Sequence, residues 1–332
     1  MSKEEKYGDP VGLDVGTSRI VVARTAEKKY TYQSELNAFL TLPYSKLAES
    51  LLQRENVFHE VRGDELVVMG NDAERFAEVF HVDMRRPMRN GTLNALEPHS
   101  LAVMRSIITR LAGKATDEKQ KLFFSVPAPV PDGDVGIPYH EASIEELVRE
   151  LGYQPKPISE GLAVVFAELK DSNFTGIGIS CGSGLSNICL AVLSVPVISF
   201  SVPRAGDFID NQAALVTGEI PTRVRVRKEQ DFNLNGFTAD RVRNALTVYY
   251  HEMIVKLVET LRQQIASVQR LPKLDQAIPL VLSGGTSMPS GFLDYFNKVL
   301  KENELPIKLS DVRVSADPLN STARGALMAA LC

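Results

Sequence analysis

Hydrophobic and polar positions follow two periods along this chain, and each period predicts a kind of secondary structure. Residues 11–24, VGLDVGTSRIVVAR, form two short β-branched runs around a tight turn, which predicts a β-hairpin. Residues 65–70, ELVVMG, and residues 121–129, KLFFSVPAP, predict further strands, and proline ends the second one. Residues 97–114 place apolar side chains at helical spacing, which predicts a helix.

The second half of the chain repeats this order of elements. Residues 176–202 predict a strand, a turn and two more strands, as residues 11–24 do on a smaller scale. Residues 240–271 are the longest segment with helical periodicity, and residues 278–296 predict a strand, a glycine turn and a helix. An α/β protein with two lobes and a cleft between them is therefore expected.

Two further segments carry signals for where a helix begins. Ser143 and Glu146 have the spacing of a capping box, so a helix is expected to start at Ser143 and to end at Gly152. Residues 154–169 are expected to pass from a proline-rich connection into a helix.

Three charged or apolar segments leave alternatives open. Residues 223–228, RVRVRK, favour a solvated edge strand, and contact with an acidic neighbouring subunit or a nucleotide is the alternative. Residues 84–89, MRRPMR, favour a surface turn, with contact to lipid or a partner as the alternative. Phe76, Val79 and Phe80 have helical spacing and are expected to pack in the core.

Composition and charge narrow the class of protein. The chain has 332 residues, of which 44% are hydrophobic, and its formal net charge of −4 argues against a nucleic-acid partner. No apolar run approaches the roughly 20 residues of a membrane span, and the charged N-terminus has no apolar core typical of a signal peptide. The three cysteines and five histidines lack metal-ligand spacing, so a cytoplasmic protein without a Cys/His metal site is expected.

Three glycine turns carry the candidate chemistry, and the first lies in residues 12–18, GLDVGTS. An ordinary hairpin turn explains these residues when they are taken alone. A phosphate site would use every one of them: Gly16 permits close approach, Thr17 and Ser18 donate to phosphate oxygens, and Asp14 holds Mg²⁺ with its waters.

The second turn, in residues 176–187, and the third, in residues 282–292, each follow a predicted strand. Gly182 and Gly184 permit a phosphate cradle, but no carboxylate lies in this second turn. In the third turn, paired glycines let a flat base lie against the backbone, and an ordinary strand-to-helix loop is the alternative. The chain has no GxxxxGK[ST] motif, and no GxGxxG follows a strand, which disfavours the folds that use those motifs.

In this order, the three turns resemble the nucleotide site of the actin superfamily, which includes actins, heat-shock chaperone ATPases and sugar kinases. ISEGLA, residues 158–163, resembles the segment that joins the two lobes, and RKE, residues 227–229, resembles the lysine–glutamate pair near the ribose. The resemblance implies two lobes, each built on an RNase H-like mixed sheet flanked by helices, with the nucleotide in the cleft. Lobe I would comprise residues 1–156 and 318–332, and lobe II residues 157–317.

Within that superfamily the chain is most similar to bacterial actins of the MreB and MamK type. Three segments resemble theirs: RPMRNG at residues 86–91, FSVPRAGDFID at residues 200–210 and SADPLNSTARG at residues 315–325. The resemblance implies a bacterial, cytoplasmic, cytoskeletal protein that binds ATP or ADP with Mg²⁺ and self-associates into filaments.

The resemblance also implies a role for each site residue. Glu160 would be the catalytic base, and Asp14 would be the metal partner. The phosphates would lie between the first two turns, the ribose near residues 228–229, and the adenine at the third turn. The nucleotide-binding residues would be Asp14, Gly16, Thr17, Ser18, Gly182, Ser183, Gly184, Lys228, Glu229, Gly284, Gly285 and Thr286.

The sequence departs from the family pattern in the second turn. Ser180 stands where the family usually has aspartate, and Leu185 and Asn187 stand where it usually has threonine and aspartate. ATP binding is therefore expected to be retained, with hydrolysis slow or absent. The alternatives are a non-polymerising actin-like scaffold that binds a membrane-associated protein, and a small-molecule kinase, for which no substrate-activating aspartate is identified.

Overall fold

Two five-stranded sheets organise the molecule. The computed structural model describes residues 8–27, 29–80, 82, 84–131, 133, 136–269 and 276–332. In chain order the strands are β1 (Val11–Val15), β2 (Arg19–Ala26), β3 (Lys29–Leu36), β4 (Phe39–Pro43), β5 (His59–Arg62), β6 (Glu65–Met69), β7 (Met88–Arg89), β8 (Thr92–Leu93), β9 (Lys121–Val126), β10 (Gln154–Ser159), β11 (Gly176–Cys181), β12 (Ser186–Val192), β13 (Val195–Val202), β14 (Ile278–Ser283) and β15 (Leu309–Val314).

Helices flank these sheets. In chain order they are α1 (Lys46–Arg54), α2 (Asn71–Phe80), α3 (Ser100–Ala112), α4 (Ile137–Glu150), α5 (Glu160–Glu168), α6 (Gly206–Thr217), α7 (Pro221–Asp231), α8 (Arg241–Ser267), α9 (Phe292–Glu302) and α10 (Ser321–Leu331). None of the helices in the described part of the chain is both long enough and apolar enough to cross a membrane. The charged N-terminal residues 1–7 and the predicted helical residues 270–271 lie outside the described residues.

The two large sheets have the same topology. The first has the order β10-β9-β1-β2-β3 and the second has the order β13-β12-β11-β14-β15. In each, the first three strands along the chain pair antiparallel, and the two later strands add in parallel beside the first strand. This is the mixed sheet expected for each lobe, and the elements packed on the two sheets are called lobe I and lobe II below.

Two helices lie between the sheets and bring the lobes together. Helix α10 packs on β1 and β9 of the first sheet, whereas α5 packs on β11 and β12 of the second, and the two helices pack against each other. Glycines allow this close approach, because a Cβ at Gly325 of α10 would overlap the backbone oxygen of Ala163 in α5. A Cβ at Gly12 or at Gly178 would likewise overlap the backbone of α10 or α5.

A smaller subdomain is inserted in lobe I between β3 and α3. It contains a three-stranded sheet of order β4-β6-β5, and helices α1 and α2 cover a small apolar core on that sheet. The short β7–β8 ribbon follows it. Phe76 packs against this core, but Val79 and Phe80 are 66% and 46% exposed, so the predicted core packing is wrong for these two residues.

The prediction of an edge strand at residues 223–228 is wrong, because these residues lie within helix α7. Pro221 stands in the first turn of the helix, where its missing N–H costs nothing. Val224 and Arg225 are buried, and Lys228 lies one turn later on the same face. These three residues share one buried face at helical spacing, so the segment forms a helix although arginine and valine alternate in its sequence.

Two predicted helix boundaries also need correction. Helix α4 begins at Ile137 with proline in its first turn, so Ser143 lies inside the helix, where its hydroxyl donates to the carbonyl of Tyr139. The proline-rich stretch before α5 is strand β10 rather than a connection, and it pairs in parallel with β9 along its whole length. It lies at the edge of the sheet, where proline does not interrupt hydrogen bonding to a further strand.

Candidate functional site

A cavity of about 430 Å³ lies between the two lobes, and the three glycine turns line it. The structure brings every site residue predicted from the sequence into its wall: Asp14, Gly16, Thr17, Ser18, Glu160, Gly182, Ser183, Gly184, Lys228, Glu229, Gly284, Gly285 and Thr286. Residues that are far apart in the sequence therefore form one site.

The first two turns have the same closed geometry on their respective sheets. The N–H of Gly16 donates to the carbonyl of Arg19 at 3.0 Å, and the N–H of Gly182 donates to the carbonyl of Leu185 at 3.1 Å. Each turn directly follows the central strand of its sheet, β1 or β11, and leads into the antiparallel neighbour. Two residues before the turn glycine, lobe I has Asp14 and lobe II has Ser180.

The third turn is joined to the second by a side chain. The hydroxyl of Thr286 donates to the carbonyl of Gly182 at 2.8 Å. Gly284 has a φ of +87°, which favours glycine, and a Cβ there would overlap the backbone oxygen of Cys181. The phosphate and base ends of the predicted site are thus held against each other within lobe II.

Asp14 presents a carboxyl group to the cavity from the end of β1. The hydroxyl of Ser125 donates to its Oδ1 at 2.8 Å and accepts the N–H of Val15 at 2.8 Å. Burial raises the pKa of Asp14 to about 6, and the hydrogen bond from Ser125 acts in the opposite direction. This carboxyl is the group in the first turn that fits a hard divalent cation.

Glu160 is the first residue of α5, and it faces the second turn. The hydroxyl of Ser180 donates to its Oε2 at 3.0 Å. Burial, and next the charge of Asp14, raise the pKa of Glu160 to about 8, while the hydrogen bond from Ser180 lowers it. In the protein alone, Glu160 is therefore mainly protonated at neutral pH.

The donors around the first two turns fit a phosphate group. Ser183 Oγ is buried and has no hydrogen-bond partner among the described residues. A Cβ at Gly184 would lie 2.5 Å from the backbone nitrogen of Gly91 and from Thr17 Oγ1, so only glycine fits there. Backbone and hydroxyl donors with one carboxylate beside them suit a phosphate–Mg²⁺ ligand.

Lys228 enters the cavity wall from helix α7 with its ammonium group already paired. Its Nζ donates to Asp210 Oδ2 at 2.8 Å, and both side chains are more than nine-tenths buried. The other oxygen of Asp210 has no partner among the described residues. The predicted lysine therefore acts together with an acid from α6.

Sequence reasoning gave no role to several residues that line the cavity. Gly91 belongs to a segment noted above only for its resemblance, and the same holds for Asp207 and Asp210. Arg225 was assigned to a strand, and Tyr250 lies within a long helix whose periodicity carries no site signal. The recurring glycine and acids at residues 206–210 were the signal that could have identified two of them.

The segment at residues 84–89 is not a plain surface turn, so that prediction is also wrong. Arg85 donates to both carboxyl oxygens of Glu97, at 2.9 and 2.7 Å. Arg86 lies 3.2 Å from Asp207, which belongs to lobe II and lines the cavity. Both guanidinium groups are therefore engaged within the protein.

Comparison with known families decides the relationship. The Volactin family profile matches residues 10–330, nearly the whole chain. The chain belongs to the Volactin family. Among curated proteins, this volactin-family chain is 21% identical over 345 residues to the actin-like protein MamK of Magnetospirillum gryphiswaldense, covering 96% of this chain and 87% of MamK. It is 23% identical to MamK of Paramagnetospirillum magneticum, covering 96% and 90%.

Solved structures with the same fold agree with this placement. A MamK double helical filament superposes with a TM-score of 0.74 at 19% identity, covering 97% of this chain and 98% of the other. MreB 5 of Spiroplasma citri bound to AMPPNP superposes with a TM-score of 0.67 at 14% identity, covering 95% and 93%. The expected two-lobed actin-like fold of the MamK and MreB type is thereby confirmed.

Proposed function

We propose that this volactin-family chain binds ATP with Mg²⁺ between its lobes, self-associates into filaments, and hydrolyses ATP slowly or not at all. One observation carries the proposal: two equivalent glycine turns face one cavity, but only the turn in lobe I has a carboxylate. The proposed ATP binding depends on the two turns. The proposed slow hydrolysis depends on the lack of a carboxylate in the second turn.

Relatives support the binding and assembly parts of the proposal. A structure of similar fold is a MamK filament, and another is an MreB bound to AMPPNP. Each superposes on nearly the whole length of this chain, including the segments that carry the three turns. We infer the same ligand class and the same mode of association for this chain.

Within this proposal each turn has its own task. Gly16, Thr17 and Ser18 bind one side of the phosphates, and the second turn binds the other side through Ser183 and its backbone N–H groups. Asp14 holds the Mg²⁺, which supplies charge neutralisation at the phosphates when bound. Binding of one ligand by both turns holds the lobes closed, which is the conformation that assembles.

Slow hydrolysis follows from the environment of Glu160. A general base must be deprotonated and must hold a water molecule in line with the phosphate. Here the hydroxyl of Ser180 occupies one oxygen of Glu160, and burial favours its protonated form. No second carboxylate lies at this position to order water, so proton abstraction by Glu160 is disfavoured.

The test is sedimentation of the purified protein with and without ATP and Mg²⁺, with phosphate release measured in the same samples. The proposal expects protein in the pellet only with ATP and Mg²⁺, and little phosphate release over the period of assembly. Protein that binds ATP but stays in the supernatant would favour the non-polymerising scaffold. Rapid phosphate release would contradict slow hydrolysis.

A further inference from the structure

Two ion pairs cross from lobe I to lobe II beside the cavity. Glu74 of α2 accepts a hydrogen bond from Arg225 of α7 at 3.0 Å. Arg86, just before β7, lies 3.2 Å from Asp207 of α6. In each pair the lobe II residue lines the cavity, whereas the lobe I residue lies outside that lining.

A third ion pair joins the two lobe II helices behind these contacts. Lys228 of α7 is paired with Asp210 of α6, and both are buried. Lys228 follows Arg225 by three residues, and Asp210 follows Asp207 by three, so each helix presents both charges on one face. Helices α6 and α7 are thus joined to each other by an ion pair, and among the described residues each forms one ion pair with lobe I.

The cross-lobe pairs are also tied to the predicted ligand site. The N–H of Asp207 donates to the carbonyl of Ser183 in the second turn at 2.7 Å. Arg225 has only 6% of its side chain exposed, and its Nε has no partner among the described residues. The lobe II member of each pair is therefore itself part of the cavity wall.

The two pairs have opposite polarity, because lobe I supplies an acid to one and a base to the other. Such an arrangement favours one position of the closed lobes relative to each other and disfavours a shifted position. The interhelical contact of α5 with α10 joins the lobes elsewhere, so the ion pairs and this contact hold the lobes at separate points.

We propose that Glu74–Arg225 and Arg86–Asp207 form a latch that must open before a bound nucleotide leaves, so that Glu74 and Arg86 control nucleotide exchange without contacting the ligand. This inference rests on the proposed nucleotide binding. The closed population falls when either pair is lost, and release speeds up in proportion to the open fraction. Glu74 and Arg86 are positioning residues in this account.

The experiment loads the full-length protein with a fluorescent ATP analogue and Mg²⁺, then measures analogue release after addition of excess unlabelled ATP. Glu74→Gln is expected to speed release about tenfold, because Arg225 then stays buried without a carboxylate. Arg86→Gln is expected to speed it about threefold, since the residue left without a partner, Asp207, is 28% exposed, whereas Arg225 is 6% exposed. Glu74→Asp should restore most of the slow release.

Matched controls come from an ion pair within the same subdomain. Arg54 and Glu55 lie 3.5 Å apart, both in lobe I, so Arg54→Gln and Glu55→Gln change the same charges without touching the latch. Both controls should release the analogue at the wild-type rate. Added salt should speed release from wild type more than from the Glu74→Gln/Arg86→Gln double variant, because salt screens partly exposed pairs.

The outcomes separate the latch from the proposed function. Wild-type protein that does not bind the analogue would contradict nucleotide binding and remove the basis for the latch. Analogue binding with unchanged release from both single variants would overturn the latch alone. Small-angle scattering without nucleotide gives a second readout, in which the double variant should have a larger radius of gyration than wild type. An unchanged radius would also count against the latch.

Discussion

The two glycine turns at the cavity are alike in backbone and different in chemistry. Each closes with one N–H to carbonyl hydrogen bond, 3.0 Å at Gly16 and 3.1 Å at Gly182, and each follows the central strand of its sheet. At the equivalent position, lobe I has Asp14 and lobe II has Ser180. The shared topology thus gives both turns the same backbone shape, while the side chains at these equivalent positions differ in charge.

The difference extends to the residues around each turn. In lobe I, Ser125 donates to the acid, whereas in lobe II the serine itself donates to Glu160. An acid at position 180 would place a third carboxyl group beside Asp14 and Glu160, whose pKa values are already raised by burial. Serine avoids that repulsion, and it also removes a group that could order water.

The largest expected effects come from substituting one glycine in each lobe at the places where a helix packs against the sheet. Gly12→Ala and Gly178→Ala each place a methyl group against the backbone of a helix, so each should lower the free energy of unfolding by about 3 kcal/mol. Urea unfolding measures this effect. Gly133→Ala is the control, because its Cβ would meet only the Val130 side chain at 3.5 Å. A large loss at one position and none at the other would contradict equivalent packing of the two lobes.

The chemical difference between the lobes predicts unequal effects on binding. Asp14→Asn should weaken binding of ATP with Mg²⁺ about a hundredfold, because it removes the carboxylate that we propose holds the Mg²⁺. Ser180→Ala should weaken it less than about threefold, since it removes only a hydrogen bond to Glu160. Titration calorimetry measures both. Equal losses would show that the two positions contribute alike.

The raised pKa of Glu160 predicts a smaller effect that depends on pH. Its pKa of about 8 lies above the ordinary value of 4.5, so the folded protein retains a proton that the unfolded chain releases. The contribution of Glu160 to the free energy of unfolding is therefore greatest below pH 4.5 and is lost as the pH rises towards 8.

Glu160→Gln should remove that loss. Without nucleotide, the variant should gain about 3 to 4 kcal/mol relative to wild type between pH 5 and pH 8, as measured by urea unfolding. The same difference at both pH values would mean that Glu160 titrates normally. The charge of Asp14 contributes to the raised pKa of Glu160, so in the Asp14→Asn background the gain should be smaller and should be complete at a lower pH.

The sequence predicted the fold, and it predicted many of the residues that line the cavity, because both depend on local patterns. Asp14, Glu160 and the glycines occur in short motifs, and the order of those motifs defines the two sheets. Helix α7 was missed because alternating arginine and valine suits a strand as well as a helix, and only burial of Arg225 decides between them.

Contacts between distant segments could not be predicted from one sequence. Glu74 and Arg225 are 151 residues apart, and neither has a local signal for the other. The exposure of Val79 and Phe80 depends on how far the small sheet covers α2, which periodicity does not measure. Pairing across the cleft is a property of the folded lobes.

The central claim is that Ser180 in place of an acid separates ATP binding from hydrolysis. The most direct measurement is phosphate release by wild type and Ser180→Asp at saturating ATP and Mg²⁺, with Ser180→Asn as the uncharged control of similar size and ATP binding measured in parallel. The account predicts release at least about tenfold faster for Ser180→Asp than for wild type and Ser180→Asn, which should be alike. Equal release by wild type and a Ser180→Asp protein that binds ATP would contradict it.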